Sequence, residues 1–349
     1  EMTIFFRTDS SLEIGAGHLI RCLALATVLK KLGSDVTFIC RDLDGHFGHF
    51  LEVYDLGVEW LSYKSTNDKD QNQQRDSLAT LKIIENHIEP IIIVDNYSLG
   101  EVWEKRLAPH SKRIVVIDDS GKSKHFCDVL IDTEITRTDT DHLNLVPKYC
   151  QVLVGSKYVM LRNDIIELRK KLNLKAKPVE TILVSLGAFD QMGLIPKIIQ
   201  LLRLNYSELN VKVIVSSKTS NFSEIKSLFR GTNVKNLIID ATNIAEHLEN
   251  IDLCIGNAGV GFFERASLGI TGCIVPTSSD QLLISKEIGK QNLAFVVEPN
   301  NNFLTTLKIK IDKLLTKEGL LTQFSENCLN IIDSQGVYRV AEHILGNQK

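Results

Sequence analysis

The stretch Phe6-Arg7-Thr8-Asp9-Ser10-Ser11-Leu12-Glu13-Ile14-Gly15-Ala16-Gly17-His18-Leu19-Ile20-Arg21 decides the fold. An apolar run, Thr3 to Phe6, precedes it and reads as a buried strand. A helical pattern, Leu19 to Leu32, follows it. Between the two lies a polar loop with two glycines and a histidine at the helix entrance. In open α/β sheets, loops that leave a strand and enter a helix line the ligand crevice. The helix N-terminus there offers unpaired N–H groups and a partial positive charge. His18 at that place can do proton chemistry near neutral pH.

Outward from this loop the strand and helix signals alternate. Asp35 to Cys40, Gly57 to Leu61, Ile91 to Val94, Arg113 to Ile117 and Val129 to Ile131 read as strands. Helical spacing covers Leu78 to His87 and Glu101 to Leu107, while 65–75 is polar and reads as an exposed loop or a helix start. Continuous Val/Ile runs without alternation fit parallel strands covered on both faces. After a charged helical stretch, Leu161 to Leu174, the segment Lys175-Ala176-Lys177-Pro178 reads as an interdomain linker. The alternation then restarts. Strands are expected at Glu180 to Leu186, Val211 to Val215, Val234 to Ile239, Asp252 to Ile255, Gly272 to Val275 and Ala294 to Val297. Helices are expected at Leu194 to Leu204, Ser223 to Phe229, Ile244 to Glu249 and up to Leu268, with three more at the C-terminal end. The expected fold is α/β, with two Rossmann-like doubly wound domains, 2–174 and 175–349, facing a central cleft. The last helix is expected to pack back on the first domain. Ligands would sit at the carboxyl ends of both sheets.

The 349 residues are 44% hydrophobic with a formal net charge of -3. No basic excess exists to neutralise phosphates, so no nucleic-acid partner is expected. No apolar run approaches the roughly 18 residues of a spanning helix, and none is expected to contact a membrane. Leaving out Glu1, which precedes Met2, the chain enters a strand at once without a signal-like segment, so a cytoplasmic location is expected. The seven cysteines are scattered, without a CxxC pair, and read as reduced core thiols.

Gly15-Ala16-Gly17 is not a dinucleotide fingerprint. That pattern needs a third glycine where Ile20 stands, and it follows its strand directly. The glycines instead let backbone approach a ligand closely, with Asp9, Ser10 and Arg21 beside them. His18 reads as a general base that takes a proton from attacking water. Asp95 and Asp118-Asp119 each end an apolar strand and either line the cleft or cap the next turn; the residues leave both readings open. Tyr97 lies two residues past a strand end. His46 and His49 have an i, i+3 spacing, but no carboxylate or cysteine set completes a metal site. In the second half, Gly256-Asn257-Ala258-Gly259-Val260-Gly261 joins a strand to a helix and can cradle a diphosphate. Glu264, one turn on, can accept from ribose hydroxyls. Gly187 and Asp190 lie at the neighbouring crossover. Ile239 and Ile244 flank a segment that can present backbone to a nucleobase, and Asp280-Gln281 can hold a sugar ring.

The pattern Arg7-x-Asp9-Ser10-Ser11-x-x-Ile14-Gly15-x-Gly17-His18-x-x-Arg21 resembles the opening of the UDP-sugar hydrolases of pseudaminic acid biosynthesis, which cleave UDP-2,4-diacetamido-2,4,6-trideoxy-β-L-altropyranose. The likeness spans nearly the whole chain. Asp95-Asn96-Tyr97 resembles the family's Asp-His-Tyr, and Asp118-Asp119 its paired aspartates. Gly155-x-x-Tyr158-x-x-Leu161-Arg162 and Asp333-x-x-Gly336-x-x-Arg339-Val340 match further segments. Departures are Asn96 for histidine, Gly187-Ala188-Phe189-Asp190 for Gly-Gly-Ala/Thr-Asp, and Asp280-Gln281 for Asn-Gln.

The resemblance implies a GT-B architecture, shared with the lipid II-forming GlcNAc transferase. It implies metal-independent hydrolysis to UDP and free sugar, with inversion, no cofactor and His18 as base. It places Tyr97 near the sugar and Glu264 on the ribose. A monomer is expected, serving flagellin or surface glycan modification alongside enzymes before and after it in the pathway. Two other functions remain in view: a GT-B glycosyltransferase using a UDP-amino-sugar donor, and a non-catalytic UDP-sugar-binding protein.

Overall fold

The computed structural model describes residues 2–172, 178–231 and 234–346. It divides into two compact units: Glu1–Arg162 with Ser334–Lys349, and Asn163–Asp333. Apart from Pro178, the expected linker Lys175 to Pro178 lies outside the described residues.

The first unit runs β1 (Thr3–Thr8), α1 (Gly17–Lys31), β2 (Asp35–Arg41), α2 (His49–Val53), β3 (Gly57–Leu61), α3 (Lys69–Ile84), β4 (Ile91–Asp95), α4 (Glu101–Leu107), β5 (Arg113–Ile117), β6 (Val129–Asp132) and β7 (Gln151–Val154). Among the described residues its strands form one parallel sheet in the order β3-β2-β1-β4-β5-β6-β7. The order reverses between β1 and β4, which pair in register from Ile4↔Ile91 to Thr8↔Asp95. Their carboxyl ends are therefore the topological switch point, where α/β sheets bind ligands. The run Ile91 to Val94 is buried along its whole length, as expected of a strand covered on both faces.

The polar segment before Leu78 proves to be helix. Asp68 accepts hydrogen bonds from the N–H groups of Asp70 (2.9 Å) and Gln71 (3.1 Å) and starts α3. The helix buries Asp76, Ser77 and Thr80, polar residues that hide its inward face from an apolar period.

The second unit runs α5 (Asn163–Lys171), β8 (Thr181–Ser185), α6 (Ile195–Asn205), β9 (Asn210–Val215), α7 (Phe222–Ser227), β10 (Leu237–Ile239), α8 (Ala245–Leu248), β11 (Leu253–Gly256), α9 (Val260–Ser267), β12 (Gly272–Ile274), α10 (Asp280–Lys290), β13 (Phe295–Val296), α11 (Phe303–Thr316) and α12 (Leu320–Ile331). Its sheet, also parallel, has the order β10-β9-β8-β11-β12-β13, with the reversal between β8 and β11. The core gathers Ile182, Val184, Ile198, Val213, Leu253, Ile255 and Leu307. Helix α5, expected to close the first domain, belongs here. It packs on α8 and α9, and the Arg169 guanidinium donates to the carbonyls of Ser267 (2.8 Å), Leu329 (3.1 Å) and Ile332. Helix α10 was not anticipated, because only Ser285 and Ile288 on it are buried and no apolar period results.

The chain then returns to the first unit as α13 (Gly336–Leu345), which packs on α1. Arg113 donates to the carbonyls of His343 (2.8 Å) and Ile344 (3.0 Å), and Arg339 to that of Lys157 (2.8 Å). Among the described residues no helix is long and apolar enough to cross a membrane.

Candidate functional site

In the first unit the loop after β1 folds on itself before entering α1. Ser11 Oγ accepts from the N–H groups of Glu13 (3.2 Å) and Ile14 (3.0 Å), and Gly15 N–H returns to the Ser11 carbonyl at 2.8 Å. Gly15 takes φ +79°, a left-handed conformation that favours glycine. Gly17 then opens α1 and places His18 and Arg21 one turn apart on the face that meets the end of β4.

There Asp95 is fully buried. His18 Nδ1 lies 2.6 Å from Asp95 Oδ1. Arg21 grips both carboxylate oxygens, Nε to Oδ2 at 2.5 Å and Nη2 to Oδ1 at 2.7 Å. The third guanidinium nitrogen, Nη1, pairs with Asp119. Asp119 Oδ1 in turn accepts from Thr133 N–H (2.6 Å) and Oγ1 (3.0 Å), and its carbonyl accepts from Arg137 (2.5 Å). Burial by itself raises the Asp95 carboxyl. The Arg21 and His18 side chains more than offset it and hold the group well below the usual carboxylate range. The Tyr97 ring stands edge-on to His18, centroids 4.7 Å apart. Burial of its hydroxyl, with Asp119 nearby, pushes the phenol above its ordinary value.

Asp9 was expected to meet the sugar. It is 2% exposed, and its oxygens accept from Arg7 (2.6 and 3.0 Å), Arg41 (2.7 Å from N–H, 3.1 Å from Nε) and Asn96 Nδ2 (2.8 Å). These bonds brace the loop against β2 and the end of β4. Burial raises the Asp9 carboxyl, but Arg7 and Arg41 bring it down to about 2. Ser10 is likewise turned inward, accepting from Phe47 N–H at 2.9 Å. Arg21 was expected among the sugar contacts, yet its guanidinium is shared by two carboxylates. The sequence leaves Asp95 and Asp118-Asp119 open between cleft and cap; Asp95 is the last residue of β4, and Asp119 lies two residues past the end of β5. Arg7 pairs with Asp76 at 2.6 Å; no local pattern announces that bond, because Asp76 sits on α3.

In the second unit the loops after β8 and β11 adjoin at the switch point. Ser185 and Gly256 are register partners, and Asn257 N–H donates to the Ser185 carbonyl at 3.2 Å. Gly187, at φ +93°, leaves room for Asn257: a Cβ there would lie 3.1 Å from Asn257 Nδ2. Gln281 Oε1 accepts from the N–H groups of Ala258 (3.3 Å) and Thr277 (3.1 Å), tying the glycine loop to the start of α10. A side chain at Gly256 would displace the Arg265 guanidinium, whose Nη2 would lie 2.4 Å from its Cβ and which donates to the Asn257 carbonyl at 2.9 Å. Gly259 precedes α9 and offers no side-chain cap, so the helix geometry leaves the N–H groups of Val260 and Gly261 without intrahelical acceptors. Glu264 is buried one turn into α9.

Not every expected residue joins this group. Asp190 caps α6, accepting from the N–H groups of Leu194 and Ile195 (2.9 Å each) and from Asn221 (2.7 Å). Ile239 ends the edge strand β10, three places from β11 in the sheet, and Ile244 precedes α8. Asp280 is exposed in the first turn of α10. Of the surface histidines, His46 accepts from Gly48 N–H (3.1 Å) and lies against Trp60, centroids 4.5 Å apart.

Comparison with known proteins places the chain in a family. Residues 152–342 match the model of the glycosyltransferase family 28 C-terminal domain. The chain is 28% identical over 248 residues to the UDP-2,4-diacetamido-2,4,6-trideoxy-beta-L-altropyranose hydrolase of Campylobacter jejuni, covering 70% of this chain and 81% of that one. It is 24% identical over 278 residues to an uncharacterized protein of Methanocaldococcus jannaschii; the match covers 77% of this chain but only 54% of that protein's length. Among solved structures, MurG of Acinetobacter baumannii aligns over 99% of this chain and 100% of its own, with a TM-score of 0.66 at 14% identity, a likeness of fold alone. The fold is α/β and GT-B-like, and the chain is related to a UDP-sugar hydrolase and to GT-B glycosyltransferases. With the family model matching more than half of its length, the chain belongs to the glycosyltransferase family 28 C-terminal domain family.

Proposed function

We propose that this protein hydrolyses a UDP-linked 2,4-diacetamido-2,4,6-trideoxy hexose to UDP and free sugar, with His18 as general base. One observation carries the reading: the His18–Asp95–Arg21 array at the end of β4. Asp95 is held ionised by Arg21, so it accepts from His18 rather than donating to it. That fixes the imidazole proton on Nδ1 and leaves the lone pair on Nε2. The contact from Arg21 Nη2 to His18 Nδ1 is 3.4 Å, much longer than the 2.6 Å bond to Asp95, and does not compete. Nε2 has no protein partner among the described residues, and the side chain is 19% exposed.

The chemistry follows from these atoms. Water bonds to the anomeric carbon while its proton moves to His18 Nε2. The bond from that carbon to the phosphate oxygen breaks with inversion, and its electron pair leaves with UDP. The imidazolium that forms faces the Asp95 carboxylate, which stabilises it. UDP is assigned to the second unit. The N–H groups of Val260 and Gly261 meet the diphosphate, each such donor being worth on the order of 3 kcal/mol where charge develops. Glu264 serves the ribose, while Tyr97 and Gln281 serve the sugar. The substrate named for the Campylobacter relative supports the choice of sugar, and cytoplasmic action in nonulosonate biosynthesis completes the proposal.

The family description favours a second reading, a glycosyltransferase using a UDP-amino-sugar donor. Incubation with the UDP-sugar separates the two. The hydrolase releases UDP and free sugar without an acceptor; a transferase releases neither until one is added. His18→Asn is expected to cut turnover by about 100-fold or more while UDP still binds. Near-wild-type turnover in that variant would overturn the assignment.

A further inference from the structure

Cys127 and Cys150 stand outside everything described above. Their sulfur atoms lie 3.6 Å apart. Each sits just ahead of a strand, Cys127 before β6 and Cys150 before β7, at the end of the sheet opposite His18. The surrounding contacts fix this approach. Gln151 N–H donates to the Asp128 carbonyl and Cys150 N–H to that of Pro147, both at 2.9 Å. The neighbours Phe126 and Tyr149 meet edge to face, centroids 6.4 Å apart, and Lys105 lies over the Phe126 ring at 5.7 Å. Cys127 is 1% exposed, whereas Cys150 is partly open to solvent. A disulfide between them needs the sulfur atoms to close from 3.6 Å to about 2.05 Å.

We propose that Cys127 and Cys150 form a thiol–disulfide modification site, oxidised by small disulfides. The Cys150 thiolate attacks one sulfur of the small disulfide, forming a mixed disulfide and releasing one thiolate. Cys127, giving up its proton, attacks the Cys150 sulfur. The second small thiolate leaves, the protein bond closes, and the two electrons end on the two released thiols. The exposure difference assigns the order: Cys150 is reached from outside and Cys127 resolves.

The bond would close the segment that carries Thr133 and Arg137, the residues that hold Asp119. It would also pin β7, the edge strand of the sheet. Oxidation is thus a clamp on the first unit, reversed by thiols.

The test is incubation of the reduced protein with oxidised glutathione, followed by intact mass and a non-reducing peptide map. The wild type is expected to lose two hydrogens, to join the Cys127 and Cys150 peptides, and to melt about 5 °C or more higher, as closing such a loop stabilises. Reductant reverses all three. Cys127→Ser is expected to retain one glutathione on Cys150, because nothing resolves it. Cys150→Ser is expected to give neither adduct nor bridge at Cys127. A wild type that keeps a stable glutathione on Cys150, a bridge between other cysteines, or no reaction at either position would each overturn the proposal.

Discussion

Asp95 Oδ1 lies 2.6 Å from His18 Nδ1, and Arg21 holds both oxygens of the same carboxylate. Burying an acid is costly unless a cation compensates. Here the cation also fixes which way the acid can hydrogen-bond, and so which tautomer His18 adopts. Asp95→Asn removes that control. The remaining amide oxygen is drawn to Arg21 and the NH2 turns to Nδ1, which moves the imidazole proton to Nε2. Turnover is expected to fall about 1,000-fold or more, as in triads that lose their orienting acid, with UDP affinity within about threefold of wild type. UDP release and calorimetric titration measure the two. Turnover within a factor of about ten of wild type would show that Asp95 does not orient the base.

Asp119 pairs with Arg21, which in turn holds the carboxylate beside His18, so under the proposed function it is a positioning residue. Asp119→Asn keeps an oxygen for Thr133 but removes the second negative charge beside the guanidinium. The expected outcome is a drop in kcat of about tenfold with KM little changed, roughly the effect of weakening one buried charge contact. An equal rise in KM, with kcat intact, would place Asp119 in ground-state binding instead.

The first loop carries an acid-sensitive brace. The Asp9 carboxyl is depressed to about 2 by Arg7 and Arg41 against the cost of burial. A depressed folded-state value means that the stabilisation is fully present above the unfolded value, near 4, and is lost as pH falls towards about 2. The contribution is on the order of 2 kcal/mol. Asp9→Asn is expected to be less stable than wild type at neutral pH, with the gap in urea midpoint narrowing below about pH 4. A gap independent of pH would rule out this linkage.

The opposite sign holds for His125. Burial lowers an imidazole, but Asp118 (2.9 Å) and Glu104 (2.6 Å) hold this one on both sides and raise it to about 9. A raised folded-state value means that the stabilisation is fully present below the unfolded value, near 6.5, and disappears as pH climbs through about 9. Thermal unfolding of the wild type is expected to weaken over that alkaline range. His125→Gln should flatten the dependence, and an unchanged slope in that variant counts against it.

Gly336 reports on how α13 joins the first unit. A Cβ there would lie 2.2 Å from the Val159 carbonyl oxygen and 2.7 Å from the Tyr158 carbonyl carbon, both backbone atoms that no rotamer change can move. Gly336→Ala is expected to cost about 3 kcal/mol, the upper range for overpacking, seen as a lower melting temperature. Wild-type stability would mean that α13 docks differently.

Much of the fold is legible in the residues, because parallel strands buried on both faces write themselves as unbroken apolar runs: Ile91 to Val94, Ile114 to Ile117 and Leu253 to Ile255 are all visible. So are the polar, glycine-bearing loops that follow β1 and β11 at the carboxyl ends of the two sheets. Helix α3 shows helical spacing only in its second half, because its first half turns Asp76 and Ser77 inward, and α10 buries too little to show an apolar period. Nor could spacing say which acids turn outward. Asp9 and Asp190 look like ligand contacts in sequence, yet partners distant in the chain, Arg41 and Asn221, draw them into the protein. Asp95, which the sequence leaves open, stands beside His18. Long-range ion pairs distribute these roles, and a single sequence does not display them.

Hydrolysis of the UDP-2,4-diacetamido-sugar in heavy-oxygen water, with no acceptor present, tests the assignment of His18 and its water most directly. Attack at the anomeric carbon puts the heavy oxygen on C1 of the released sugar and leaves UDP unlabelled, and His18→Asn should abolish nearly all of that product. Label on UDP, or no release until an acceptor is supplied, would contradict it.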